Sequence, residues 1–139
     1  MHTYAVALRI SGKSLDASEV TAKLGLKPTQ IRVAGQPRPG GKSEWDESMW
    51  EYEVLVGKRS GAWPSLEEGL KKLIPKFRPH KRMLRHYQRR FRVCLFCGHF
   101  SSAFNGGPSF SPSLLKQLGD LGVELLLDTY ASQESSRSG

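Results

Sequence analysis

The apolar residues of this chain change period along its length, and the order of those changes restricts the fold more than any single motif. Tyr4, Val6, Leu8 and Ile10 alternate with Ala5, Ala7 and Arg9, the period of two of a strand with one face turned inward. Gly12 ends that run. Asp16 then reads as a helix N-cap with Glu19 as its capping-box partner, and Ala17, Val20 and Leu24 give the helix an apolar stripe that Gly25 stops. Ile31 and Val33 suit a short edge strand. Trp50, Tyr52, Val54 and Val56 alternate with Glu51 and Glu53, a strand with one wet face.

A helical middle follows. Ser65 and Glu68 form a second capping pair, and Leu66, Leu70, Leu73, Ile74 and Phe77 recur at helical spacing. Pro75 is expected to bend or end this helix, and Pro79 to start another that carries Met83, Leu84 and Tyr87 on one side. Phe91, Val93, Leu95 and Cys97 make a third strong strand. Ser111 caps a last helix with Pro112 at its first position, and residues 123–130 form the final strand.

Strand, helix, strand, a helical middle, then strand, helix, strand predicts an α+β fold. The expected form is a ferredoxin-like sandwich of two βαβ halves with a mostly antiparallel sheet and an inserted basic helical segment over 75–92. Residues 1–131 form one domain in this reading, and 132–139 a disordered tail. The chain has 139 residues, which suits one domain. No apolar run approaches the roughly 18 residues of a membrane span. Met1-His2-Thr3-Tyr4 lacks the basic start and apolar stretch of a signal peptide, so a cytoplasmic location away from membranes is expected.

The charge is concentrated. The net charge is +8, and the Pro75–Arg92 stretch holds eight bases (Lys76, Arg78, Lys81, Arg82, Arg85, Arg89, Arg90 and Arg92) and no acid, so the remainder of the chain is neutral overall. A local electrostatic role follows more readily than a uniformly basic surface. Arg82, Arg85 and Arg89 fall on one strip of a helix at i, i+3 and i+7. Arginine outnumbers lysine there, which suits bidentate contact with carboxylate or phosphate. Arg78, Lys81, Arg82, Arg85, Arg89 and Arg90 are therefore the candidate partner-binding residues. The alternative is a solvated face that only aids solubility. Trp45, in the polar loop from Lys27 to Ser48, is a further candidate anchor, with core capping the competing role.

Three motifs carry less than they suggest. Cys94 and Cys97 have the spacing of a redox pair or half a zinc site, but they lie inside an apolar alternation. On a strand, i and i+3 face opposite ways about 10 Å apart, beyond the roughly 7 Å a disulfide spans. No second cysteine pair completes a zinc site, so buried, inert thiols are expected. Gly40-Gly41-Lys42-Ser43 resembles the end of a phosphate loop, yet Gln36 stands where the motif needs glycine and Pro37 and Pro39 remove donors. His99 with Ser101 and Ser102 lacks an orienting acid nearby in sequence. No cofactor or metal site is expected.

Several segments together carry a family likeness: Tyr4-Ala5-Val6-Ala7-Leu8-Arg9-Ile10, Leu24-Gly25-Leu26-Lys27-Pro28-Thr29, Arg32-Val33-Ala34-Gly35-Gln36-Pro37, Trp50, Pro108-Ser109-Phe110-Ser111-Pro112, Leu118 to Leu121, and Asp128-Thr129-Tyr130. From Tyr4 to Tyr130 the chain resembles the bacterial domain of unknown function family DUF4279. The resemblance implies no activity and no catalytic residues. Some members look like immunity-type proteins encoded beside toxins, which implies a protein-binding inhibitor. The basic 75–92 segment lies outside the pattern of resemblance.

Three functions remain open at this level. A non-enzymatic module that meets an acidic protein partner, such as a toxin, ranks first. Nucleic-acid binding through the same arginines ranks second, because Glu51 and Glu53 would repel phosphate from the sheet. An enzyme with a site assembled from distant residues ranks last.

Overall fold

In a computed structural model, residues 2–102 and 105–131 are described, and the expected tail at 132–139 lies outside them. The strands are β1 (His2–Gly12), β2 (Gln30–Arg32), β3 (Ser48–Glu53), β4 (Arg92–Ser101) and β5 (Glu124–Ala131). The helices are α1 (Ala17–Leu24), α2 (Leu66–Phe77), α3 (Lys81–Gln88) and α4 (Pro112–Leu121), with a 3-10 turn over Arg78–His80 between α2 and α3. The five strands form one sheet in the order β2-β3-β1-β4-β5. All pairings are antiparallel except β4 with β5.

The fold is α+β with a mostly antiparallel sheet, and its two βαβ units differ. In β1-α1-β2 the two strands run parallel with β3 between them, a split unit. In β4-α4-β5 the strands are direct neighbours with no gap. The strand over Trp50 and Tyr52, expected to close the first βαβ half, instead pairs antiparallel with β1 and fills the space between β1 and β2, so neither half leaves a gap that the other fills. β1 is already flanked by β3 and β4, so the free edge of β4 is the one that takes β5.

All four helices cover one face of the sheet. Tyr4, Val6, Leu8 and Ile10 from β1 join Trp50, Val93, Leu95 and Cys97 beneath Val20, Leu70, Phe77, Leu84 and Leu114 in a single core. The N-cap side chains act as expected, though among the described residues neither Glu19 nor Glu68 returns a bond to its cap. Asp16 accepts the Ser18 and Glu19 N–H groups, Ser65 that of Glu68, and Ser111 that of Leu114. Trp50 is fully buried, and its indole N–H donates to Thr21 Oγ1 at 3.0 Å, which ties α1 to β3. α2 crosses β1 at Gly69, where a Cβ would lie 2.9 Å from Val6 Cγ2.

Pro75 does not end its helix. α2 continues to Phe77, with Pro75 itself exposed. The backbone bond that proline forfeits falls in the last turn, where the buried Ile74 and Phe77 hold the helix down. The 3-10 turn then redirects the chain into α3. The basic segment is thus a docked helix, with Leu84 and Tyr87 in the core.

Candidate functional surfaces

Two arginine-bearing surfaces lie on opposite sides of the molecule. The first is the outer face of α3. Leu84 and Tyr87 turn inward, and this forces Arg82, Arg85 and Arg89 outward onto solvent. Arg78 is exposed and Lys81 half-buried, and they flank a cleft of about 290 Å³ shared with Gln117 and Asp120. Arg90 lies with its guanidinium carbon 5.0 Å from the centre of the Phe91 ring. Among the described residues, Arg78, Lys81, Arg82, Arg85 and Arg89 have no carboxylate within ion-pair distance. The ion pairs that do form involve Arg9, Arg38, Lys71, Arg92 and Lys116.

Trp45 belongs to the second surface, so the predicted binding residues do not gather at one place. Residues 33–47 fold as a hairpin over the sheet face that no helix covers. The Gly35 N–H donates to the Trp45 carbonyl at 2.9 Å, the Trp45 N–H to that of Gln36 at 2.9 Å, and the Arg38 N–H to that of Ser43 at 2.8 Å. Gly40 and Gly41, both with positive φ, make the tip. The Gly-Gly-Lys-Ser stretch is therefore a hairpin end. The expected loop over 27–48 is largely this ordered hairpin.

The hairpin brings Trp45 against two guanidiniums. Arg32 lies 4.1 Å and Arg38 4.8 Å from its ring centre. Beside them Arg9 sits 4.0 Å over the Phe96 ring and pairs with Glu51 at 2.6 Å. These groups border a cleft of about 440 Å³, with Met49, Phe96 and Leu126 as apolar wall. Arg92 reaches the same cleft and bonds Glu124 at 2.9 Å. Arg32 differs from its neighbours. Its Nε is buried and finds no acceptor among the described residues. Burial, then the charge of Arg9, holds the Arg32 pKa below its ordinary value, with Glu51 partly opposing and Arg38 adding to the effect.

Glu51, expected on a wet face, is buried because Arg9 and the hairpin cover it. Arg9, Arg32 and Arg38 are not among the binding residues that the sequence predicts. The one available signal was a guanidinium at an outward strand position among small residues, as with Arg9 after Ala5 and Ala7. Their convergence depends on strand register, which pairs Arg9 with Glu51 and Arg32 with Met49.

The remaining motifs resolve simply. Cys94 lines the cleft on the open face, whereas Cys97 points into the core, and both are free and buried. His99 contacts His2 at 2.8 Å, stacks on Tyr4 and lies 3.4 Å from Thr129 Oγ1, with no carboxylate partner among the described residues. Among the described residues, no three His, Cys, Asp or Glu side chains converge in a metal-holding group, and no helix is long and apolar enough to cross a membrane.

The family model described as domain of unknown function (DUF4279) matches residues 2–132, and the chain belongs to that family. No curated protein and no solved structure matches the chain.

Proposed function

We propose that this DUF4279 member is a non-enzymatic binding module of the cytoplasm whose α3 arginines engage an acidic face of a protein partner, as an immunity-type inhibitor would. The observation that carries this reading is the strip of Arg82, Arg85 and Arg89, exposed on a firmly docked helix and, among the described residues, with no carboxylate in ion-pair distance. A helix fixed by Leu84 and Tyr87 presents those guanidiniums at set spacing. They gain little for the fold alone, and they suit rapid, oriented association with carboxylates.

A protein partner is favoured over nucleic acid by the surroundings of the strip. Tyr87 is buried and Phe91 lies beside Arg90, so the His86 imidazole is the one exposed ring on α3, a small platform for stacking bases. We further read the sandwich as a variant of the ferredoxin-like arrangement. The split β1-α1-β2 half supports that reading, with β5 added directly to β4.

The test compares the wild-type chain with Arg82→Glu/Arg85→Glu/Arg89→Glu as bait in lysate of the source organism. Any retained protein is then purified and titrated against both baits. The expected result is an acidic protein held by the wild type, at least tenfold weaker with the triple variant and weaker as salt rises. Equal binding to both baits overturns the reading. A nucleic acid retained by the wild type alone, with a steep salt slope, replaces the protein partner with the second function.

A further inference from the structure

The cleft on the open sheet face is a separate surface, on the side of the sheet opposite α3. We propose that it is a binding site for a small organic monocarboxylate, with the Arg32 guanidinium as its anchor.

The charge arrangement selects the ligand. Arg9 already holds Glu51, Arg92 already holds Glu124, and Arg38 has Asp46 at 3.9 Å and donates through Nε to the Glu44 carbonyl at 3.2 Å. Arg32 alone lacks a carboxylate among the described residues, and its buried Nε lacks any acceptor. Arg32 is a partly desolvated cation with no carboxylate partner among the described residues, and an incoming carboxylate supplies the missing counter-charge at the guanidinium. Among the described residues, one guanidinium without a carboxylate in ion-pair distance, beside an unpaired Glu47, suits a ligand with a single negative charge. A dianion would exceed it and would meet Glu47, which also borders the cleft.

Shape selects the remainder of the ligand. A volume of about 440 Å³ is that of a small-molecule site and exceeds what an inorganic ion fills. Met49, Phe96 and Leu126 supply an apolar wall for a carbon skeleton. Arg32 is held for the task. Trp45 stacks on it from the hairpin, and the Ala34 N–H bonds Ser48 Oγ at 3.0 Å, which pins the hairpin base to β3.

Benzoate is the probe, with benzamide as its neutral isostere and inorganic phosphate as the competing anion. All are titrated at pH 7 and constant ionic strength, and the readout is the Trp45 indole and Arg32 Nε signals in ¹H–¹⁵N spectra. The expected result is saturable movement of both signals by benzoate, at least tenfold weaker binding of benzamide, and phosphate weaker than benzoate. Arg32→Gln should lower benzoate affinity about tenfold, the scale of a lost charge-assisted bond, while Arg85→Glu should leave it unchanged.

No saturable movement with benzoate overturns the proposal, and so does equal binding of benzamide. Tighter binding of phosphate overturns the assignment to a monocarboxylate, and unchanged benzoate affinity in Arg32→Gln removes the anchor. The wild-type titrations decide the first three points even where the variant fails to fold. The α3 variant separates failure of this site from failure of the partner surface.

Discussion

Arg9 and Glu51 face each other across β1 and β3, with Arg9 Nη2 and Nε at 2.6 and 2.8 Å from one Glu51 carboxylate oxygen. The carboxylate is nearly enclosed and the guanidinium less so. Loss of one partner therefore strands a charge that water reaches poorly. Glu51→Gln should lower unfolding free energy by about 1–3 kcal/mol, less than for a fully buried pair because Arg9 remains partly wet. Urea unfolding of Glu51→Gln, Arg9→Met and the double variant checks this. A coupling within about 0.5 kcal/mol of zero would mean the two residues act independently.

Two helical glycines should respond oppositely to alanine. Gly119 in α4 is exposed, and a Cβ there meets nothing within 4 Å. Gly119→Ala should stabilise by about 0.5–1 kcal/mol through helix propensity. Gly69 lies against the stiff Val6 side chain and 3.1 Å from Trp63 Cδ1. The same propensity gain there is opposed by an overpacking cost of about 1–3 kcal/mol, so Gly69→Ala should destabilise. Thermal melts of the two variants would refute the close α2–β1 approach if both gained stability.

Glu67 ties α2 to α4. Its carboxylate accepts the Ser111 backbone N–H at 2.8 Å and pairs with Lys71 at 3.0 Å. The Ser111 bond first, and Lys71 next, hold its pKa below the ordinary value of 4.5. A carboxyl depressed on folding contributes stability that is complete above its unfolded pKa and is lost as pH falls through the folded one. Glu67→Gln should melt lower than wild type at pH 7, and the gap should close as pH drops below about 4.5. A gap of equal size at pH 7 and pH 3 would show that the charge is not its source.

The two thiols should be silent in the folded protein. Burial pushes the Cys97 thiol up to about 12 and raises that of Cys94 as well. At pH 8 an aromatic disulfide reagent should titrate neither cysteine in native protein and both in guanidinium. Rapid native reaction at Cys94 would show that the cleft opens further than its described geometry.

The strands, helices and caps were legible because each is encoded locally. Alternation around Leu8, the Ser65–Glu68 pair and Ser111-Pro112 state their own secondary structure within a few residues. Pro75 was less legible, because the burial that carries α2 past it comes from Ile74 and Phe77 meeting the sheet. The outward arginines of α3 were legible for the same reason as the caps. Helical spacing opposite Leu84 and Tyr87 suffices to place them.

The cleft was not legible, and the reason is physical. Arg9, Arg32, Arg38 and Trp45 come from two strands and a hairpin, and what joins them is pairing register and the fold of residues 33–47. The α+β class, the element order and the concentration of charge in one segment follow from local pattern, since periodicity and capping act over a few residues. Only contacts across the fold place β5 beside β4, put Trp45 on the sheet face opposite α3, and leave Arg32 with no carboxylate in ion-pair distance among the described residues. Those outcomes depend on contacts between residues distant in the chain, whose energies no local pattern records.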